Sequence, residues 1–256
     1  MRSVRRLAAA AARRLLAPLV PSRHRLPFSY WLHRLGGTCG PELRHLDKLI
    51  VSGGTAIDVG ANEGLYTYVL SKRFKRVYAF EINSDVAGPI TQYNPGNITL
   101  FTCGLSSTPR TARFYIPVMA NCALAGWGSL DRYNLPGAET LIEKDVQVRP
   151  LDEFGIASVD FVKIDVEGHE MEVLEGAAST IGQSRPIVLI EVKESNLQAV
   201  NSWFLERNFR HYRIQDFLDR LEEGADHIYV PIERLSLLGL REYSSSSIAV
   251  PVSHGR

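Results

Sequence analysis

The spacing of apolar and polar positions divides this chain into strand-like and helix-like stretches. From residue 55 onward, short and nearly continuous apolar runs recur: TAIDV (55–59), RVYAFE (76–81), ITLFTC (98–103), VDFVKIDV (159–166) and IVLIEV (187–192). Each is rich in β-branched or aromatic residues and bounded by Gly, Pro or polar clusters, as strands buried on both faces are. Between them the period lengthens to that of a helix. EGLYTYVLSKR (63–73) puts Leu65, Tyr68 and Val69 on one face, and EGHEMEVLEGAAS (167–179) does the same with Met171, Leu174 and Ala178. NLQAVNSWFLERNF (196–209) makes a third helix. Strand and helix in alternation predict an α/β domain, a parallel sheet with helices on both faces.

The rhythm breaks between residues 106 and 150. RFYIP and VQVR read as strands, but MANCALAGWGSLDRYNLPGAET (119–140) carries Gly, Asn and Pro throughout and reads as a loop. An insertion of that length is expected to act as a lid or binding loop. In the tail, HYRI (211–214) and SIAV (247–250) are further strand candidates.

At 256 residues and 45% apolar content the chain suits one sizeable core. The expected organisation is an arm at 1–25, a helical lead-in at 26–54 and a catalytic domain at 55–256. The formal net charge is +1, which argues against a polyanionic partner for the body. Charge is unevenly spread, however: residues 1–25 hold Arg2, Arg5, Arg6, Arg13, Arg14, Arg23 and Arg25 and no acid. On a helical wheel Arg2, Arg5, Arg6 and Arg13 oppose Val4, Leu15 and Leu19, so the arm is either untethered or an amphipathic contact with a membrane surface. Arg13 and Arg14 interrupt the apolar run, and no stretch reaches the ~18 apolar residues of a membrane span. Cys39, Cys103 and Cys122 are odd in number and far apart, which fits a reducing, cytoplasmic setting, with the arm at most peripheral to a membrane.

Candidate chemistry begins at IDVGANEGLYT (57–67), where a strand ends near Val59 and a turn holding Gly60 and Gly64 enters a helix. A dinucleotide fingerprint reads GxGxxG, with pyrophosphate on the helix N-terminus. Here Asn62 replaces the glycine that admits the pyrophosphate, and Asp58 adds negative charge where phosphate would sit. Such a site suits a ligand with an amine and a sulfonium. Glu81, about 20 residues on at the next strand end, is placed for ribose hydroxyls. The pair favours S-adenosylmethionine over NAD.

A second stretch, VDFVKIDVEGHEMEVLEGA (159–177), completes a set. DVGANEGLYT, FEI (80–82), LDEF (151–154) and VKIDVEGHEMEVLEGA stand in order across roughly residues 50–195, and together they resemble the FkbM family of S-adenosylmethionine-dependent methyltransferases. Ile82 departs from the proline common in the family. The resemblance implies a class I methyltransferase (Rossmann-like) fold with seven mostly parallel strands, the last antiparallel. It further implies that Asp58, Gly60, Asn62 and Gly64 line the methionine half of the cofactor, Glu81 holds the ribose, and Cys103 and Gly104 lie near the adenine.

In VKIDVEG a strand's alternation points Lys163 and Asp165 the same way, and Glu191 ends the next strand, so Asp165 and Glu191 are expected to converge. An alkyl hydroxyl accepts a methyl group only once a base or a metal takes its proton. Asp165, Glu191, His169 and Lys163 are the catalytic candidates, and Asp165 with Glu191 would be the ligands if Mg²⁺ takes part. Glu167 and Glu170 are read as acids favoured near a helix N-terminus. Trp127, Tyr115 and Tyr133 are candidates to stack on a sugar or base. There is no GxSxG elbow, phosphate loop, HExxH or metal-spaced Cys/His cluster.

The expected function is O-methyl transfer to a hydroxyl of a sugar, glycan or secondary metabolite. The alternatives are a non-catalytic cofactor-binding module at a membrane or partner surface, and an RNA or protein methyltransferase, the latter disfavoured by the lack of a basic stripe on the body.

Overall fold

The computed structural model describes residues 16, 19–37, 39–44, 46–50, 53–135, 137–213 and 226–238. Most of the arm and the SIAV segment lie outside the described residues. Helix α1 (Ser22–Gly36) and the short α2 (Pro41–Arg44) and α3 (Leu46–Leu49) lead into β1 (Thr55–Val59), α4 (Leu65–Ser71), β2 (Arg76–Phe80), α5 (Gly88–Tyr93) and β3 (Ile98–Phe101). Then come β4 (Gly104–Leu105), β5 (Arg110–Met119), β6 (Cys122–Ala123) and β7 (Thr140–Arg149). The strand–helix alternation resumes with β8 (Val159–Ile164), α6 (Glu170–Gly176), α7 (Ala178–Ser184), β9 (Ile187–Glu191), α8 (Glu194–Leu205), β10 (Phe209–Arg213) and β11 (Asp226–Pro231).

Seven strands form one sheet in the order β10, β11, β9, β8, β1, β2, β3. All pairs are parallel except those of β11, which runs antiparallel between β9 and β10. This is the class I methyltransferase topology, with the antiparallel strand last in the chain. The five apolar runs became strands for the expected reason: β1, β8 and β9 are buried on both faces, and β2 and the edge strand β3 are covered in part. Ala56, Phe161 and Leu189 face a core shared with α4 and α5, while Ile57, Val162, Val188 and Ile190 face one that holds Val173, Leu174 and Phe204 of α6 and α8. The chain moves in one direction from β1 to β3 and in the other from β8 onward, so a crevice opens at the carboxyl ends of β1 and β8.

Three readings need correction. The stretch 119–140 is loop-like as expected apart from the two-residue β6, but the strands beside it are longer than RFYIP and VQVR: β5 runs on to Met119, β7 starts at Thr140, and with β4 and β6 they make a second, four-stranded sheet. Only Phe114, Ile116, Pro117 and Val148 of the β5–β7 ribbon are buried, so its outer positions stay polar and hide the strand pattern. The helix expected over 167–179 breaks at Ala177 into α6 and α7. Of HYRI, His211–Arg213 fall in β10 and Ile214 lies outside the described residues, while the partner strand β11, which the apolar pattern does not predict, opens with Asp226 and His227.

Candidate active site

The crevice is lined by the ends of β1, β2, β8 and β9, by Cys103 and Gly104 beyond β3, and by the tip of the β5–β7 ribbon above. It encloses a cavity of about 270 Å³. Its construction starts at Gly60, whose φ of 77° and whose position leave no room for a side chain: a Cβ there would lie 1.8 Å from the Asp165 carbonyl oxygen. Asp165 N–H donates to the Val59 carbonyl at 2.9 Å, so the turn after β1 and the end of β8 are laced together. Gly64 (φ 91°) begins α4 with a hypothetical Cβ 2.4 Å from Ile90 Cγ1, which makes it a packing glycine outside the cavity wall.

Glu81 is buried, and its two oxygens accept from the backbone N–H groups of Asn83 and Asn62, each at 2.7 Å. Burial pushes its carboxyl upward, and these bonds oppose the shift. Each oxygen keeps a second lone pair for a hydroxyl. Asn62 (φ 51°) and Asn83 also donate side-chain N–H bonds to the carbonyls of Gly126 (3.2 Å) and Ala125 (3.0 Å). Ser129 donates to the Glu167 carbonyl at 2.9 Å. The ribbon tip is therefore pinned over the cavity at both sides. Trp127 lines it, while Tyr115 and Tyr133 do not.

Asp58 stands elsewhere. It is buried beneath the turn and accepts a 2.5 Å bond from the Thr67 hydroxyl of α4, outside the cavity lining. Burial pushes its carboxyl up to about 6. Its contribution is to tie β1 to α4.

Asp165 and Glu191 both line the cavity floor, as the strand ends imply, with Glu167 beside them. Burial raises the Asp165 carboxyl, and the Lys163 ammonium opposes this. Glu191, the one exposed residue of β9, is pushed up to about 7 by partial desolvation in the crevice and by the Asp165 charge, with Lys163 again opposing. Lys163 itself is fully enclosed, not looped out to the rim. Its Nζ lies 2.9 Å from Asp226 Oδ1, 4.0 Å from Asp165 Oδ2 and 5.1 Å from the centre of the Tyr66 ring. Burial alone would lower its pKa, but Asp226 and Asp165 outweigh it and hold the amine above its ordinary value. Tyr66 in turn bonds Glu42 of α2, whose carboxyl burial and Asp226 push up to about 7.

His169 also reaches the cavity, and both of its ring nitrogens face side chains of the protein. Nε2 lies 3.0 Å from the Ser106 hydroxyl, and Nδ1 lies 3.5 Å from Glu172. Arg110 donates to Ser106 at 2.7 Å. Burial holds the imidazole below its usual pKa, so it is neutral at pH 7. Glu170 is no cavity acid: it is buried and accepts from Gly168 N–H and Asn196 Nδ2, both at 2.7 Å. Among the described residues, no three His, Cys, Asp or Glu side chains cluster as metal ligands, and no helix is long and apolar enough to cross a membrane.

An open α/β sheet with a glycine turn, and with the acids Glu81, Asp165 and Glu191 around a crevice at its switch point, is the setting in which open α/β enzymes place their ligands. The methyltransferase FkbM domain model matches residues 58–211. The chain belongs to the FkbM methyltransferase family. It is 33% identical over 141 residues to the hexuronic acid methyltransferase AglP of Haloferax volcanii, a match over 53% of this chain and 54% of that protein. The chain thus spans about half the length of the curated relative it matches. A crystal structure of an FkbM methyltransferase from Methylobacillus flagellatus superposes with a TM-score of 0.48 at 18% identity, over 86% of this chain and 58% of that one. A Streptococcus mutans structure in complex with S-adenosylhomocysteine has a TM-score of 0.45 at 14% identity, over 73% and 94%.

Proposed function

We propose that this protein is an S-adenosylmethionine-dependent O-methyltransferase acting on a hydroxyl of a saccharide, with a secondary-metabolite hydroxyl as the other member of the class. The observation that carries the reading is the pair Asp165 and Glu191 on the floor of a crevice whose wall holds Glu81. The chemistry of the lining fits the cofactor: Glu81 matches a ribose diol, and Phe80, Ile82 and Leu105 match an adenine. When bound, S-adenosylmethionine supplies an electrophilic methyl group on sulfur.

The residues of the chain do the rest. The pinned ribbon tip excludes water and holds an acceptor against the floor. Methyl transfer is an in-line displacement that needs the acceptor oxygen ~3 Å from the carbon, so positioning is a large part of the rate. Glu191, with a pKa near neutrality, is suited to take the hydroxyl proton, while Asp165 orients the hydroxyl through a second bond. The floor carries Asp165, Glu167 and Glu191, acceptors for the hydroxyls of a saccharide. His169, with both nitrogens facing protein side chains, is a wall residue in this scheme. The match to a hexuronic acid methyltransferase supports a saccharide acceptor. A divalent-cation route would use the same Asp165 and Glu191 oxygens as ligands, and full turnover in excess chelator would remove it.

Calorimetric titration with S-adenosylmethionine, S-adenosylhomocysteine and NAD tests the cofactor assignment. Saturable binding of the two adenosyl ligands alone is expected, weakened about 10- to 100-fold in Glu81→Ala, since a pair of charge-assisted bonds is lost. NAD binding, or none by any ligand, would overturn it.

Glu191 also links activity to pH. Its folded pKa of about 7 lies above the usual carboxylate value, so the native state holds the extra proton between about pH 4 and 7. Its contribution to stability is therefore greatest below that window and falls as pH rises through it, while the base form needed for transfer accumulates. Because solvent reaches Glu191 and screens its charge, Glu191→Gln is expected to raise the melting temperature only slightly at pH 8, to change it little at pH 5, and to suppress the rise in kcat/KM through pH 7. A melting temperature that falls at pH 8 would contradict this placement of Glu191.

A further inference from the structure

Four of the nine large apolar side chains exposed among the described residues crowd into one segment: Leu16 (44% exposed), Leu19 (79%), Trp31 (53%) and Leu35 (72%). Trp31 and Leu35 stand four residues apart on α1 and so share its outer face. His24 falls on the same line, one turn and a fraction above Phe28, and Arg34 flanks it. The inner face is satisfied: Leu26 is buried, and Tyr30 packs on Tyr68 of α4 with ring centres 5.1 Å apart. The apolar outer face is thus unpartnered, while the helix is firmly seated.

Its charge is equally one-sided. The first acid of the chain is Glu42, and before it stand eight arginines, of which Arg23, Arg25 and Arg34 lie in α1. All three are exposed. Scattered surface leucines need no explanation, but a Trp and leucines bordered by arginines, with no acid in the same helix, call for a partner that is apolar and anionic at once. A nucleic acid offers no place for Leu35 and Leu19. A second copy of the same face would set arginine against arginine across a two-fold axis. An anionic bilayer takes both, with indole and leucine at the acyl boundary and guanidinium groups among the headgroups.

We propose that the outer face of α1, centred on Trp31 and Leu35 and flanked by Arg23 and Arg34, docks the protein on an anionic lipid surface. This reading is independent of the methyl-transfer assignment, because binding is measured without cofactor or acceptor.

The test is flotation of the full chain with vesicles of neutral phosphatidylcholine, with and without about one third phosphatidylserine. Binding to the anionic vesicles only is expected, with release as salt rises from about 0.1 M to about 0.5 M. Trp31→Ala/Leu35→Ala is expected to weaken binding at least tenfold, roughly the loss of two apolar anchors, and Arg34→Gln about fivefold. Both variants change exposed residues, and an unchanged melting temperature confirms that they fold. Equal binding to neutral vesicles, no binding, or binding untouched by the double variant would each overturn the proposal, the last by moving the contact to the arginines before α1. A dimer on size-exclusion chromatography that the double variant dissolves, without vesicle binding, would also overturn it by assigning the face to a second copy.

Discussion

Asp165→Ala is expected to lower methyl transfer by about 10²- to 10⁴-fold, the range of a positioned acid–base group, while adenosyl-ligand affinity changes by less than about threefold. The separation follows from placement. Asp165 sits on the floor with Glu191 at the ends of β8 and β9, whereas the Glu81 carboxylate follows β2 and is held by Asn62 and Asn83. The backbone of Asp165 closes the turn through its bond to Val59 and its contact with Gly60, and alanine keeps both. Single-turnover transfer from labelled S-adenosylmethionine, run beside the titration, reads the two quantities independently. Turnover that survives in the variant would remove Asp165 from the chemistry.

Lys163→Met should give the largest stability loss, about 3–5 kcal/mol, because it strands buried Asp226 and removes the cation beside Asp165. For a chain of this size that corresponds to a melting temperature lower by about 10 °C. Methionine keeps the volume of the lysine stem, so the loss reports charge and not a cavity. The double variant Lys163→Met/Asp226→Asn should recover most of it, since removing both partners leaves no uncompensated charge. A single variant as stable as the parent protein would mean that the interior solvates Asp226 by itself. These residues position the site and do not touch a substrate: Lys163 lies beneath the floor, fixed between β11 and the end of β8.

The parts of this protein that were legible in the sequence share a physical cause. Parallel strands β1, β8 and β9 announce themselves because a strand buried on both faces must be apolar at nearly every position, and TAIDV is buried throughout. Gly60 was legible because only glycine suits a left-handed turn against the Asp165 carbonyl. Asp165, Glu191 and Glu81 were legible because acids that close apolar strands in an open sheet collect at one edge. The β5–β7 ribbon was half hidden, since polar residues on its solvent side dilute the alternation. Strand β11 was missed outright, since a strand that opens with Asp226 and His227 looks nothing like a buried one. Both are nonetheless buried, Asp226 against Lys163, and His227 within 2.8 Å of His211 of β10.

The sequence by itself determined the α/β class, the glycine turn, the family and the edge of the sheet where chemistry gathers, because each is written in local period, turn sterics or strand ends. Only the tertiary structure decided what each polar side chain does there. Asp58 and Asp165 both stand near strand ends, yet α4 covers the first and its Thr67 claims the carboxylate, while the second is left open to the crevice. Lys163 found its counter-charge 63 residues away in Asp226, and His169 lost its free nitrogen to Ser106, equally distant in sequence. Pairings of that range depend on how helices and strands pack, and no local pattern encodes them.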